Sequence, residues 1–205
     1  MKDLLIFPFN GNGLEALSCL GENFRFLGFV DDTPGKLGKH ELGFTVYGRH
    51  AFQDFPEALV LAIPGSPSSF SSRQILIEGL NIPDSRFATV LHPRAEVSVF
   101  SKIGRNTLLM SGVVLTSNCF IGDHVCILPN TVIHHDSKVG NYTLIGSNVT
   151  VAGNSTVGDN CYIGSGSSII NGIHIGEKSL VGIGTNVIKD LPALSKSVGN
   201  PARLL

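Results

Sequence analysis

An aliphatic residue recurs at every sixth position of this sequence from residue 91 to residue 187. The register runs without a break through Leu91, Val97, Ile103, Leu109, Leu115, Ile121, Ile127, Ile133, Val139, Ile145, Val151, Val157, Ile163, Ile169, Ile175, Val181 and Val187. The position four residues later holds a small residue or Val, except at Ile173 and Leu191. A period of six fits neither an α-helix nor an alternating strand. It predicts a parallel β-helix whose flat faces are one hexapeptide each, with the aliphatic side chains stacked inside.

Three hexapeptides close one triangular coil of about 18 residues, so that residues 91–188 are expected to form between five and six coils. Residues 18 apart then lie above one another. Gly follows the aliphatic residue at positions 104, 122, 140, 146, 158, 164, 176 and 182. We expect these glycines to adopt the positive φ that a tight corner requires. Most of this segment is predicted to be scaffold.

The first 85 residues lack the six-residue register and follow a strand, helix, strand pattern. The predicted elements are strands at 4–7, 24–30 and 58–63, loops at 8–13 and 64–69, and helices at 14–21 and 70–80. This order predicts a small parallel α/β unit. We place the domain boundary near residue 86, giving an N-terminal domain over 1–86 and a β-helix domain over 87–205 with a C-terminal cap.

The segment "GNGLEA" (11–16) fits the G-x-G-x-x-G/A pattern between a strand and a helix, and Asp31 ends the next strand. Such glycines allow backbone N–H groups to approach a phosphate, and the carboxylate can accept hydrogen bonds from a sugar or base. The unit is about half of a dinucleotide fold, so that a mononucleotide or nucleotide sugar fits better than NAD. A tight turn without any ligand is the alternative, because short Gly patterns are weak signals.

Composition narrows the classes of partner. The formal charge of −1 provides no basic surface for nucleic acid, and no apolar run is long enough to span a membrane. The four cysteines form no C-x-x-C pair, and "MKDLLIFPF" is too short an apolar run for a signal peptide, so a reduced, cytoplasmic protein is expected. His124 and His174 lie in hexapeptides, but no two histidines stand five apart as in the zinc sites of β-helix carbonic anhydrases. No metal site is therefore expected.

The stretch "VIHHDSKVG" (132–140) interrupts the repeat with His134, His135 and Asp136. The 18-residue spacing stacks His135 between Ser117 and Gly153, on the outside of the coil. Asp136 can orient the imidazole as a general base, and the backbone N–H near Gly153 can stabilise an oxyanion. This arrangement suits acyl transfer to an amine or hydroxyl, although a solvated surface histidine is the simpler alternative.

These residues, together with motifs along the whole chain, resemble the bacterial sugar acetyltransferases that act on sialic acid or UDP-amino sugars. The motifs that carry the resemblance are "NGNG" (10–13), "GFVDD" (28–32), "LAIPG" (61–65), "LHPRA" (91–95), "IHHDSKVG" (133–140), "VAGNSTVGDNCYIGSGSSI" (151–169) and "GNPAR" (199–203). The resemblance implies a Rossmann-like domain before a left-handed β-helix, with acetyl-CoA as co-substrate. It also implies a homotrimer with sites between subunits.

The resemblance assigns roles to individual residues. His135 matches the catalytic base and Asp136 the acid beside it, whereas Gly153 matches the residue whose amide contacts the acetyl carbonyl. The residues that match the nucleotide-binding loop and strand end are Asn10, Gly11, Asn12, Asp31 and Asp32. The residues that match the wall for the pantetheine arm of CoA are Ser165, Gly182 and Ile183.

The sequence departs from the family on the acceptor side. His134 stands where Asp or Glu is usual, and Leu128 where Asn is common; both are expected near the acceptor. Asn12 replaces His in the Gly loop, and Pro8-Phe9 replaces Gly-Ala. We expect N-acetylation of a UDP-linked 4-amino sugar for a bacterial surface glycan. O-acetylation of a sugar or sialic acid hydroxyl is the alternative, and a non-catalytic assembly protein is a third.

Overall fold

A computed structural model describes all residues from 1 to 205 and shows a small α/β part followed by a left-handed parallel β-helix. The first part is a five-stranded sheet in the order β3-β4-β2-β1-β5. Its strands are β1 (Lys2–Phe7), β2 (Phe24–Val30), β3 (Gly38–Lys39), β4 (Thr45–Tyr47) and β5 (Leu59–Ala62). The helices are α1 (Gly11–Ala16), α2 (Ala51–Asp54) and α3 (Arg73–Glu78), with 3-10 turns at Leu17–Cys19, Pro34–Lys36, Phe70–Ser72 and Asp84–Arg86. None of the helices is long and apolar enough to cross a bilayer.

The sequence predicted a loop over 8–13 followed by a helix over 14–21, and this boundary is wrong. This helix begins at Gly11, because the Asn10 side chain accepts a hydrogen bond from the Gly13 N–H at 2.8 Å and caps the first turn. The Gly-rich pattern is thus the first turn of the helix. The antiparallel pair β3–β4 also lies in a connection to which the sequence assigned no strand.

The β-helix consists of short strands that repeat along three faces. Its strands are β6 (Val90–Leu91), β7 (Glu96–Val97), β8 (Lys102–Ile103), β9 (Leu108–Leu109), β10 (Val114–Leu115), β11 (Phe120–Ile121), β12 (Cys126–Ile127), β13 (Val132–Ile133), β14 (Lys138–Val139), β15 (Leu144–Ile145), β16 (Thr150–Val151), β17 (Thr156–Val157), β18 (Tyr162–Ile163), β19 (Ser168–Ile169), β20 (His174–Ile175), β21 (Leu180–Val181), β22 (Asn186–Val187), β23 (Lys196–Val198) and β24 (Arg203–Leu204). Face I contains β6, β9, β12, β15, β18, β21, β23 and β24; face II contains β7, β10, β13, β16, β19 and β22; face III contains β8, β11, β14, β17 and β20. Ile133 pairs with Leu115 and Val151, which confirms the 18-residue register.

The aliphatic column fills the inside of the β-helix. Twenty buried residues form one cluster there, and 14 of the 17 positions of the six-residue register belong to it. The expectation of burial is wrong for Leu91, which is 40% exposed, because no coil precedes it to cover that side. Val97 and Ile103 are partly buried for the same reason. At the other end, β23 and the antiparallel β24 cover the last coil.

The small residues four positions after each aliphatic residue connect neighbouring coils. The Thr131 hydroxyl donates to the Gly146 carbonyl at 2.7 Å and accepts from the Val149 N–H at 3.1 Å. Ser137 and Thr143 use their hydroxyls in the same way, and the Ser155 hydroxyl donates to the Ile170 carbonyl. A small polar side chain therefore satisfies corner backbone groups that the strands leave unpaired.

The expectation of positive φ is wrong for the glycines that directly follow the aliphatic residue. Positive φ falls three residues after the aliphatic residue, most often on Asn, then on Gly, and once on Asp136 (φ 61°). Asn, Asp and Gly tolerate the left-handed region. Glycine is required at the earlier position by close approach between coils. A Cβ on Gly140, for example, would lie 2.6 Å from the backbone of Gly158 and Asp159.

The N-terminal part packs against face I and leaves the rest of the β-helix uncovered. Outward-facing side chains of this face, such as Leu108, Cys126 and Leu144, share a buried cluster with Leu4 and Phe29 of the N-terminal part. The triangular coil therefore has one covered face and one corner opposite to it, between faces II and III.

Candidate active site

His135 and Asp136 lie at the corner between faces II and III, which we call the His135 corner (116–118, 134–136 and 152–154). The His135 Nδ1 is 2.9 Å from Asp136 Oδ2. An ionised carboxylate only accepts hydrogen bonds, so this contact places a proton on Nδ1 and leaves the lone pair on Nε2. The His135 side chain is 59% exposed. The corner thus presents an exposed imidazole that Asp136 holds through Nδ1, and its Nε2 makes no hydrogen bond within the chain.

Gly153 lies one coil above His135, beside the ring. A Cβ at Gly153 would be 2.6 Å from both Cε1 and Nε2 of His135, so that any side chain at residue 153 would displace this imidazole. The Gly153 N–H donates to no other group of the protein, whereas the neighbouring Asn154 N–H donates to the His135 carbonyl at 2.9 Å. An N–H without an acceptor therefore belongs to the residue that stacks beside the His135 ring.

Asn118 is a member of the site whose role the sequence analysis did not identify. Its Nδ2 donates to Asp136 Oδ1 at 2.7 Å from one coil below. Hydrogen bonds from Asn118 and then from His135 lower the pKa of the Asp136 carboxyl below its usual value. The 18-residue spacing between Asn118 and Asp136 is the signal by which this contact could have been found.

A pocket of about 360 Å³ borders the acid on the side of face III. It is lined by Phe100, Lys102, Asn118, Cys119, Phe120, Asp136 and Lys138. Phe100 is 71% exposed and Phe120 is 48% exposed. The site thus adjoins two exposed aromatic rings, Phe100 and Phe120, and two lysines, Lys102 and Lys138. The sequence analysis did not single out these residues.

His134 lies on the other side of the corner, towards face II. It is half-buried, and its ring forms no hydrogen bond or ion pair within the chain. Thr116, one coil below, has a buried hydroxyl without a hydrogen-bond partner. No three His, Cys, Asp or Glu side chains lie together in a way that could hold a metal ion.

The three residues expected along the pantetheine arm lie at a different corner, between faces I and II. Ser165 accepts a hydrogen bond from the Ser147 N–H through Oγ at 3.1 Å, and Ile183 is 78% exposed one coil above it. Gly182 approaches Val198, because a Cβ there would be 2.7 Å from Val198 Cγ1. Face II separates this corner from His135, and six residues at about 3.3 Å each make its width roughly 15–20 Å.

The residues predicted to hold a nucleotide lie at the carboxyl edge of the N-terminal sheet. Gly11 is exposed and has open space around it, and Asn12 is half-buried beside it. Asn10 is occupied as the cap of α1. Asp31 is only 3% exposed, whereas Asp32 forms a two-pronged ion pair with Arg49 at 2.7 and 2.8 Å.

The nucleotide-binding candidates and the catalytic candidates lie on opposite sides of the same chain. The N-terminal part covers face I, and the His135 corner is the corner opposite that face. A single chain therefore brings His135, Asp136 and Gly153 together, but it brings neither the Gly11 loop nor Ser165 to them.

Comparison with known families and structures agrees with this architecture. The family model described as "Bacterial transferase hexapeptide (six repeats)" matches residues 100–135, 118–153 and 136–171. No curated protein sequence matches the chain significantly. The repeat family is thus recognised in the central coils of the β-helix.

Solved structures match over the whole chain. PerB from Caulobacter crescentus, in complex with CoA and GDP-perosamine, is 26% identical with a TM-score of 0.86, over 100% of this chain and 97% of PerB. WeeI from Acinetobacter baumannii AYE is 25% identical with a TM-score of 0.83, over 100% of both chains. The acetyltransferase domain of PglB from Neisseria gonorrhoeae FA1090 shares the fold at 22% identity and a TM-score of 0.87, also over 100% of both chains. The expected resemblance to bacterial sugar acetyltransferases and the expected fold class are confirmed.

Proposed function

We propose that this protein transfers the acetyl group of acetyl-CoA to the amino group of a nucleotide-linked amino sugar, of the UDP-4-amino-sugar type, for a bacterial surface glycan. The expected enzyme class, an acyltransferase, and the expected co-substrate, acetyl-CoA, are confirmed by the structural neighbours. PerB was solved with CoA and GDP-perosamine, and the same protein is described as a perosamine N-acetyltransferase. The PglB domain was solved with acetyl-CoA.

The observation that carries the proposal is the geometry of His135. Its Nδ1 is held by Asp136 at 2.9 Å, and its free Nε2 lies beside Gly153. A general base needs a basic nitrogen within reach of the acceptor proton, and acyl transfer needs a donor for the oxyanion. The same corner supplies both groups.

In the proposed reaction, the neutral amine of the acceptor attacks the thioester carbonyl while its proton passes to His135 Nε2. The negative charge on the tetrahedral oxygen is stabilised by the Gly153 N–H. The carbon–sulfur bond then breaks, and the imidazolium returns the proton to the departing thiolate of CoA. Asp136 stabilises the transient imidazolium and keeps the ring in the orientation that leaves Nε2 free.

We propose a homotrimer as the working unit. The Gly11 loop and Asp32 lie across the β-helix from His135, so the acceptor's nucleotide must be held by a neighbouring copy if the sugar is to reach that base. Faces II and III are free of the N-terminal part, and they expose Ile170, Phe120 and Phe100. Apolar side chains of this kind are suited to contact between subunits.

We propose that the domain over residues 1–86 binds the nucleotide and that the domain over residues 87–205 carries out acetyl transfer. We propose His134 as an acceptor contact, because its ring is unpartnered beside the base. Ser165, Gly182 and Ile183 of one subunit are proposed to line the pantetheine arm of CoA. A cytoplasmic location is proposed because the four cysteines are unpaired and buried.

The first experiment measures binding and turnover together. Calorimetric titration with acetyl-CoA and with UDP, followed by release of the CoA thiol in the presence of amino-sugar nucleotides, tests both halves of the site. His135→Ala is expected to lower kcat by at least about 100-fold without loss of acetyl-CoA binding. His50→Ala is the matched control, because His50 is an exposed histidine that faces a carboxylate, Asp54, at 3.8 Å in the N-terminal part.

Each alternative gives a different result in this experiment. Binding of acetyl-CoA without UDP, and acetylation of a sugar hydroxyl, would replace N-acetylation by O-acetylation. Binding of neither ligand by an intact trimer would leave a non-catalytic assembly protein. Equal activity of His135→Ala and the wild type would remove the proposed base.

A further inference from the structure

Three outward-facing side chains form a row on face III beside the His135 corner. Phe120 of β11 pairs with Lys102 of β8, one coil below, and with Lys138 of β14, one coil above. Neighbouring strands of a sheet lie about 4.8 Å apart, so the backbones of the two lysines are about 10 Å apart. Two ammonium groups therefore flank one aromatic side chain, and all three line the pocket of about 360 Å³ that borders Asp136.

The chain leaves both of these lysines without a counter-ion. Lys102 and Lys138 are exposed, and their ammonium groups form no ion pair or hydrogen bond with another side chain. Asp136 supplies the one carboxylate among the residues that line the pocket. Its Oδ1 accepts from Asn118 at 2.7 Å, and its Oδ2 lies 2.9 Å from His135 Nδ1. The pocket thus carries two cations and one anion, and that anion is already hydrogen-bonded on both oxygens.

No other acid lies at this end of face III. The segments 116–118, 134–136 and 152–154 of the His135 corner contain no carboxylate except that of Asp136. Asp123 and Asp159 lie at the opposite edge of the face, where Asp123 pairs with Arg105 at 3.1 Å. A cationic ligand would therefore find no free carboxylate beside the base, whereas an anionic ligand finds two free ammonium groups.

The position of the pocket identifies which part of the substrates reaches it. The pocket borders the Asp136 carboxylate that holds the proposed base, so its occupant lies next to the reacting atoms. The phosphates of CoA are at the far end of the pantetheine arm from the thioester, and the nucleotide is assigned above to the domain over residues 1–86. The sugar ring of the acceptor is the part that remains close to His135.

We propose that Lys102 and Lys138 bind a carboxylate carried by the acceptor's sugar, while the ring packs against Phe120. Ammonium groups form charge-assisted hydrogen bonds with carboxylates, and aromatic side chains provide the apolar lining that ligand pockets use. The acceptor is then an acidic amino sugar linked to a nucleotide, such as an amino uronic acid. The inference rests on the proposed function, because it assumes that the acceptor's amine reaches His135, and it narrows the substrate class from amino sugars to acidic amino sugars.

The test compares two acceptors that differ only at the last carbon of the sugar. UDP-4-amino-4-deoxyglucuronic acid has a carboxylate there, and UDP-4-amino-4-deoxyglucose has a hydroxymethyl group. Release of the CoA thiol from acetyl-CoA gives kcat/KM for each acceptor. The wild type is expected to prefer the acidic sugar by at least about 10-fold, and Lys102→Gln and Lys138→Gln are each expected to reduce this preference by at least about 3-fold.

Two further variants separate charge from other effects of substitution. Lys138→Arg keeps the positive charge and is expected to retain most of the preference for the acidic sugar. Lys178→Gln is the matched control, because Lys178 is an exposed lysine at the opposite edge of face III and its ammonium has no partner. The melting temperature and the oligomeric state of all four variants should equal those of the wild type.

Several results would overturn the inference. Equal kcat/KM for the two acceptors in the wild type would refute an acidic acceptor while leaving N-acetylation in place. A preference that survives in both Lys102→Gln and Lys138→Gln would place the carboxylate elsewhere. Weaker calorimetric binding of UDP alone, or of acetyl-CoA, in these variants would assign the lysines to phosphates. Binding of acetyl-CoA by the wild type without thiol release from either acceptor would refute the proposed N-acetylation, and this inference with it.

Discussion

A methyl group on Gly153 would lie 2.6 Å from Nε2 of His135, across the gap between two successive coils. The His135 ring therefore occupies the space that a side chain at residue 153 would fill. Any side chain at residue 153 forces the imidazole away from its place above Ser117, which makes Gly153→Ala a sensitive probe of the geometry.

Gly153→Ala is expected to lower kcat by about 100-fold, because displacement of a catalytic group by about 1 Å has an effect of this size. The imidazole lies on the surface and can rotate, so the melting temperature should change little. Steady-state kinetics and thermal unfolding of the same preparation check both statements. Wild-type kcat in a well-folded Gly153→Ala protein would contradict the assigned geometry.

Asp136→Asn should lower kcat by at least about 10-fold while the fold is retained. Asn tolerates the positive φ of residue 136, as other coils show at Asn118 and Asn154. The amide, however, no longer stabilises the imidazolium. Asn118→Ala is expected to have a smaller effect and to raise the pKa of Asp136 by removing its first hydrogen bond. An NMR titration of the Asp136 carboxyl in the wild type and in Asn118→Ala measures this change in pKa, and steady-state kinetics of Asp136→Asn measure the loss of charge.

His124 is expected to make stability depend on pH between about 6.5 and 4. The ring is buried against Tyr142, and its Nδ1 lies 2.9 Å from the Asn106 side-chain nitrogen, which also donates to the Ala62 carbonyl. Nδ1 must therefore accept, and the ring is neutral. Burial lowers its pKa to about 4. Because the unfolded state binds a proton at higher pH than the folded state, stability falls as pH drops from 6.5 to 4, by up to about 3 kcal/mol.

Urea unfolding at pH 7, 5.5 and 4 measures this loss. His124→Asn is the matched variant, since Asn occupies the equivalent corner at residues 106 and 160. It is expected to be less stable at pH 7 and to show a shallower dependence on pH. If the free energy of unfolding fell equally with pH in the wild type and in His124→Asn, a group other than His124 would cause the loss of stability.

Arg73→Met is expected to destabilise the protein by about 3 kcal/mol. The guanidinium is completely buried, and burial lowers its pKa to about 10, so that it remains charged at neutral pH. It donates to the carbonyls of Pro64, His124 and Tyr142 and thereby joins the N-terminal part to the β-helix. Its removal leaves these acceptors unpaired. The exposed pair Arg25–Asp3 provides the control, because Arg25→Met should cost less than about 1 kcal/mol in the same unfolding assay.

Gly140→Ala should destabilise the β-helix by about 1–3 kcal/mol, although residue 140 does not have a positive φ. The added methyl group meets the backbone of the next coil at 2.6 Å, and a backbone cannot move aside as a side chain can. Gly35→Ala, with nothing within 4 Å of the added atom, is the control for substitution alone. Equal stability of both variants would show that the coils can separate to admit the methyl group.

The sequence by itself determined the β-helix, its 18-residue register and the stacking of Gly153 on His135. A register of this kind is local, because each side chain's neighbours are fixed by counting along the chain. For the same reason, the 18-residue spacing could have predicted the hydrogen bond between Asn118 and Asp136. The sequence also indicated three of the parallel strands of the N-terminal part.

Only the tertiary structure decided which groups remained free for a ligand. Asp31 fits a nucleotide motif, but its oxygens are taken by Phe9, Thr33 and Lys36, which a spacing pattern does not reveal. The Asn10 cap sets the start of α1. The glycines that directly follow the aliphatic residues are required by the close approach of the next coil, not by a positive φ. The packing of the N-terminal part on face I, opposite His135, follows from contacts between residues such as Phe29 and Leu108. Such contacts join distant parts of the chain, and no local period encodes them.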